Sequence, residues 1–121
     1  MKPPAQPGVQ ADDALAQAID RLWVRFLPEI RERVAVLERA AKAAAAGKLA
    51  SAPRAEAQAA AHKLAGVLGT FGLTRGTVLA RELELTFTRE SSPGPDAGKR
   101  LADITADLRA MIEGRKPATR P

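Results

Sequence analysis

Cysteine and tyrosine are absent from this 121-residue chain, and aromatic residues make up only 3% of it. Without thiols there is no disulfide, no thiolate nucleophile and no cysteine-based zinc site. That composition suits a reducing compartment, and a cytoplasmic location is expected. With so few rings the core must be built from Ala, Leu, Val and Ile, as in a helical bundle. Histidine occurs once, at His62, and no dense carboxylate cluster accompanies it, so no protein-only transition-metal site is expected. No apolar run approaches the roughly 18 residues of a membrane span. The opening MKPPAQPGVQ lacks the apolar segment of a signal peptide, and no membrane association is expected.

Acid and base are nearly balanced where it matters. The formal net charge is +5, but residues 1–10 and 114–121 supply Lys2, Arg115, Lys116 and Arg120 with no acid among them. The body between is close to neutral. Its Arg and Lys are interleaved with Glu and Asp and gather in no basic stripe, so nucleic acid is not an expected partner. Residues 1–10, with three Pro and a Gly, read as a disordered leader, and 114–121 as a disordered basic tail. The domain is then 11–113, enough for one modest core.

Along that domain the apolar spacing is helical throughout. Leu15, Ile19, Leu22, Trp23 and Phe26 define a first helix capped by Asp12 or Asp13, with Trp23 and Phe26 as core anchors. Pro28 removes a backbone donor and disfavours helix at Leu27, which predicts a break there. A second helix follows over 29–46, with Ile30, Val34, Leu37 and Ala41 inward and Gly47 ending it. Ser51 is the expected N-cap of a third, 52–70. A turn at Gly72 and Thr74 as cap lead into a fourth, 75–89, with Leu79, Leu83 and Phe87 inward. Glu82 and Glu84, two apart, lie on different faces and make a poor acid–base pair. A flexible loop over 91–98 precedes a last helix, 96–113, with Leu101, Ile104, Leu108 and Met111 or Ile112 inward. The fold class is all-α, an antiparallel up-and-down bundle of four helices with an additional N-terminal helix.

The third helix carries the chemistry. Ala57, Ala61, Leu64 and Leu68 fall within one stripe about 60° wide, the core face, and His62 lies about 200° around from Leu64. The imidazole should therefore stand in water. Around it are Ala55, Gln58, Ala59, Ala65, Gly66 and Gly69, of which only Gln58 has a side chain larger than methyl. A surface this bare lets another protein come close, and Ala55, Ala59, Ala65, Gly66 and Gly69 are expected to form a docking surface. Gln58, one turn before His62, is placed to hydrogen-bond the ring or a group carried on it.

Ala61-His62, Leu64 two after the His, Gly66 four after, Gly72 ten after, and the later Leu83-Glu84 together resemble histidine-containing phosphotransfer (HPt) domains. The resemblance extends over about 12–113. It implies a phosphorelay intermediate: His62 would accept a phosphoryl group from a receiver domain's aspartyl phosphate or a hybrid histidine kinase and pass it on. Imidazole keeps a nucleophilic neutral form near pH 7, and the transfer needs in-line positioning and positive charge more than acid–base groups. The resemblance implies no independent enzyme, no cofactor of its own, Mg²⁺ supplied by the receiver, and a monomer. One departure stands out. The family often carries Lys three residues after the His, where this chain has Ala65, so Lys63 and Arg75 become the candidates for steadying the phosphoryl group. The alternative reading is a docking or inhibitory helical module that binds a kinase or receiver without carrying phosphate.

Overall fold

A computed structural model describes the backbone of residues 7–89 and 93–119, with side chains from Asp12 onward. Residues 1–6 of the expected leader, 90–92 around the expected loop, and Arg120 and Pro121 of the expected tail lie outside the described residues. Four helices make up the rest: α1 (Pro7–Ala45), α2 (Ser51–Thr70), α3 (Thr74–Arg89) and α4 (Pro95–Glu113). α1 packs against α2 and α4, and α3 packs against the same two, which closes a four-cornered bundle. Among the described residues no helix is long and apolar enough to cross a membrane.

The expected break at Pro28 does not occur. The two N-terminal helices are one, and among the described residues the bundle has four helices rather than five. Pro28 deprives the Val24 carbonyl of its partner four residues on, but Val24 and Pro28 are both exposed, so water can take the place of the missing donor. Trp23 and Ile30, buried on either side, hold the helix to one line across the gap. The helix also starts earlier than expected, at Pro7, so residues 7–10 of the expected leader are helical and Asp12 and Asp13 lie inside α1 rather than capping it. Ala50, not Ser51, occupies the N-cap position of α2. The other helix limits fall within about one residue of the expected ones, and Gly47 and Gly72 take the positive φ values, 69° and 73°, that end a helix and turn the chain.

The core is a column of Ile30, Val34, Leu37, Leu64, Leu68, Leu83, Phe87, Leu101 and Leu108, each worth about 1.5–3 kcal/mol when withdrawn from water. Its small residues let the axes come close. A Cβ added to Gly98 would sit 2.5 Å from Ala45 Cα and 2.6 Å from Ala44 C, so α4 touches the last turn of α1 backbone to backbone. Arg31 pairs with Glu113 at 2.8 Å and Arg109 with Glu38 at 2.9 and 2.6 Å. These exposed pairs add little stability, but they record that α4 runs antiparallel to α1.

At 39 residues α1 is about 58 Å long against about 30 Å for α2, so its N-terminal part overhangs the bundle. Leu15, Leu22 and Phe26, expected inward, are exposed there, and of that row only Trp23 is buried. Its ring meets Phe71 edge-on, centroids 5.1 Å apart.

The C-terminal tail, expected to be loose, is held along this overhang. Asp20 accepts hydrogen bonds from the Thr119 hydroxyl (2.7 Å), the backbone N–H groups of Ala118 (2.7 Å) and Thr119 (3.0 Å), and the Arg115 guanidinium (3.1 Å). Arg115 also lies over the rings of Trp23, at 4.9 Å, and Phe71, at 5.8 Å. These donors, the Thr119 hydroxyl first, hold the Asp20 carboxyl well below the usual carboxylate range. A depressed folded pKa contributes attachment that is complete above the ordinary value of about 3.9 and is lost as the pH falls through that range and below it. Fluorescence of Trp23, the single tryptophan, should therefore shift as the tail lets go under acid. Asp20→Ala should show the released signal already at pH 7, and an unchanged spectrum in that variant would mean the tail does not rest on Asp20.

Candidate functional site

The α2–α3 hairpin builds the site. The chain reverses at Phe71–Leu73, and the Leu73 N–H donates to the Leu68 carbonyl (2.9 Å) to close the turn. Two antiparallel helices mirrored about this point bring His62 level with Glu84. Their side chains meet: His62 Nδ1 lies 2.6 Å from Glu84 Oε2. Since an ionised carboxylate can only accept, Nδ1 is the donor of this bond, and in the neutral ring that tautomer leaves the lone pair on Nε2. The exposures are unequal. The His62 side chain is 72% exposed and that of Glu84 only 20%, so a mostly covered carboxylate anchors a ring that projects into water.

Ala55, Gln58, Ala59, Lys63 and Glu84 line a shallow recess of about 310 Å³ with His62. Of the expected docking residues, Ala55, Ala59, Gly66 and Gly69 are exposed, as the helical geometry required. Ala65 is not. It is 2% exposed, because α3 covers that flank of α2, and Thr77 Oγ1 donates to the Ala65 carbonyl at 3.2 Å. Gly69 lies at the same seam, where an added Cβ would come 3.4 Å from Thr77 Oγ1. The bare surface is thus one-sided, open from His62 towards α1 and closed towards α3. Gln58 is half-buried at the edge of the recess, while the ring's hydrogen bond goes to Glu84 instead. Arg75 is not brought to the ring. It sits nine residues before Glu84 on α3, about 13 Å along the helix axis, outside the lining of the recess.

Among the described residues no group of three His, Cys, Asp or Glu side chains could hold a metal ion. What the site offers is a single outward nitrogen nucleophile whose far side is charge-stabilised. A bond formed at Nε2 leaves the ring positive, and Glu84 lies against that charge.

A family model described as Hpt domain matches residues 21–114. The chain belongs to the Hpt domain family. A stretch of 66 residues is 35% identical to Protein RcaC of Microchaete diplosiphon, covering 54% of this chain and 10% of that protein, so the chain spans about a tenth of this curated relative. No solved structure gives a significant match. Hpt domains are phosphocarriers of two-component signalling, and the family works with receiver domains and kinases.

Proposed function

We propose that His62 is the phosphoacceptor and that it exchanges its phosphoryl group with the aspartate of a receiver domain, supplied directly or through a hybrid kinase. The observation that carries this reading is the Nδ1–Glu84 bond, which leaves Nε2 as the free nucleophile on an exposed ring. The Nε2 lone pair forms a bond to phosphorus as the aspartyl P–O bond breaks, and that bond's electron pair stays on the departing carboxylate. The proton stays on Nδ1, and the resulting imidazolium is stabilised by Glu84. The rest is alignment and electrostatics. In this reading Mg²⁺ is held by the receiver's carboxylates, and the domain works in the cytoplasm as a monomer.

The open side of the recess supports docking by another protein, with small residues where a partner's backbone would approach. Mixing the protein with a phosphorylated receiver and Mg²⁺, then recording intact mass before and after acid treatment, tests the reading. One acid-labile phosphoryl group per chain is expected. Receiver binding with no phosphohistidine would select a docking or inhibitory module instead.

Glu84 acts here as a positioning residue. A hydrogen bond to a charged group contributes about 1.5–3 kcal/mol, and at this exposure the low end applies, so Glu84→Ala should slow phosphoryl uptake about tenfold. Glu84→Gln keeps an acceptor for Nδ1–H and should recover part of the rate. Equal rates in Glu84→Ala and the unaltered protein, measured against one receiver, would remove the role.

A further inference from the structure

Resting on that reading of His62, we infer that Lys63 is the cation that binds the phosphoryl group in transit, in place of the lysine this family often carries three residues after the histidine. Three features of the site converge on it.

Ala65 occupies the usual lysine position, and here that position faces α3. The side chain is buried, and the adjoining carbonyl is tied to Thr77. A cation at 65 would have to emerge past α3, on the flank where Glu84 already holds Nδ1. The ring fixes the second feature. Because Nδ1 points to α3, the Nε2 edge is turned away from it, towards the open side of the recess. Lys63 lies on that side. It follows His62 by about 100° of helix rotation in the direction opposite to Ala65, it is exposed, and it lines the same recess as the ring. The third feature is the placement of Arg75, about 13 Å away along the axis and outside that lining. The exposed cation at 63 and the reactive edge of the ring therefore share the open side of one recess.

During transfer the phosphoryl oxygens carry the negative charge, and an ammonium beside Nε2 stabilises them without itself forming or breaking a bond. Lys63→Ala should lower the transfer rate at saturating receiver by about five- to tenfold, a modest factor because the charge is solvated. Lys63→Arg should stay within about threefold of the unaltered protein, and Arg75→Ala within about twofold, since only charge near Nε2 counts. A rate for Lys63→Ala within twofold of the unaltered protein, or a greater loss in Arg75→Ala, would overturn the assignment.

A second measurement separates this inference from the identity of the phosphodonor. Chemical phosphorylation of His62 with phosphoramidate should shift the Lys63 side-chain signals in NMR spectra of the full chain and leave those of Arg75 in place. Unmoved Lys63 signals would overturn the assignment even if receivers do phosphorylate His62. If receivers fail to phosphorylate it and the Lys63 signals still shift, the donor is wrong and the lysine's role stands.

Discussion

His62→Gln is expected to abolish phosphoryl uptake completely while leaving the fold intact. The chain has no other histidine, so no second imidazole can take over. Glutamine at 62 presents an amide, whose nitrogen lone pair is delocalised and not nucleophilic. The change should be nearly silent for stability. The position is exposed, glutamine is at least as good a helix former as histidine, and surface substitutions of this kind fall within about 0.5 kcal/mol. The lost His62–Glu84 bond is exposed on the imidazole side and leaves Glu84 in reach of water. The measurement pairs thermal unfolding with intact mass after incubation with a phosphorylated receiver. An unchanged melting temperature with no acid-labile phosphate is the expected result. Continued uptake by the variant would move the acceptor elsewhere and remove His62 from the mechanism.

The sequence was enough to expose that ring, and the reason is local. A helix has one period, so the angle between His62 and the stripe of Leu64 and Leu68 follows from spacing alone. What spacing within α2 cannot supply is which of its flanks another helix covers. Ala65 was therefore expected on the docking surface, and it is buried under α3. Spacing within α3 sets Glu84 only against Glu82, its neighbour in sequence, whereas its partner lies 22 positions back. A signal was available. A turn at Gly72 between antiparallel helices reflects residue 62 onto the level of 84, so a hairpin register drawn about that turn would have found the pair. The five-helix expectation failed for a related reason. What Pro28 removes from the backbone is readable in the sequence, whereas the outcome depends on which face of α1 carries it. On the solvent side the freed Val24 carbonyl has water, and Trp23 and Ile30 fasten the helix on both sides of the gap. The tail shows the same limit, since nothing near Arg115 in sequence announces Asp20, 95 residues away.

Gly98→Ala should be among the most destabilising single changes in this protein, although it adds only one methyl group. Alanine is the better helix former by about 1 kcal/mol, so in an isolated α4 the substitution would help. In the bundle the added carbon would fall 2.5 Å from Ala45 Cα and 2.6 Å from Ala44 C, well inside van der Waals contact. These are backbone atoms of the last turn of α1, and no rotamer change can move them aside. The helices must separate instead, and overpacking of this kind costs about 1–3 kcal/mol, occasionally more. Separation also loosens the contacts that Leu101 and Ala44 make in the core. With backbone atoms this close the strain lies at the top of that range, about 3 kcal/mol, and less the helix gain of about 1 kcal/mol it leaves a net loss of about 2 kcal/mol, a melting temperature lower by roughly 6–12 °C. Gly66→Ala is the matched control. It is also inside a helix, but an added Cβ there meets nothing within 4 Å, so only the propensity term acts and stability should rise by about 0.5–1 kcal/mol. Opposite signs for two identical substitutions would establish that backbone contact between α1 and α4, rather than any property of glycine in helices, keeps residue 98 small. A Gly98→Ala variant as stable as the unaltered protein would mean that α1 and α4 are not held this close in solution.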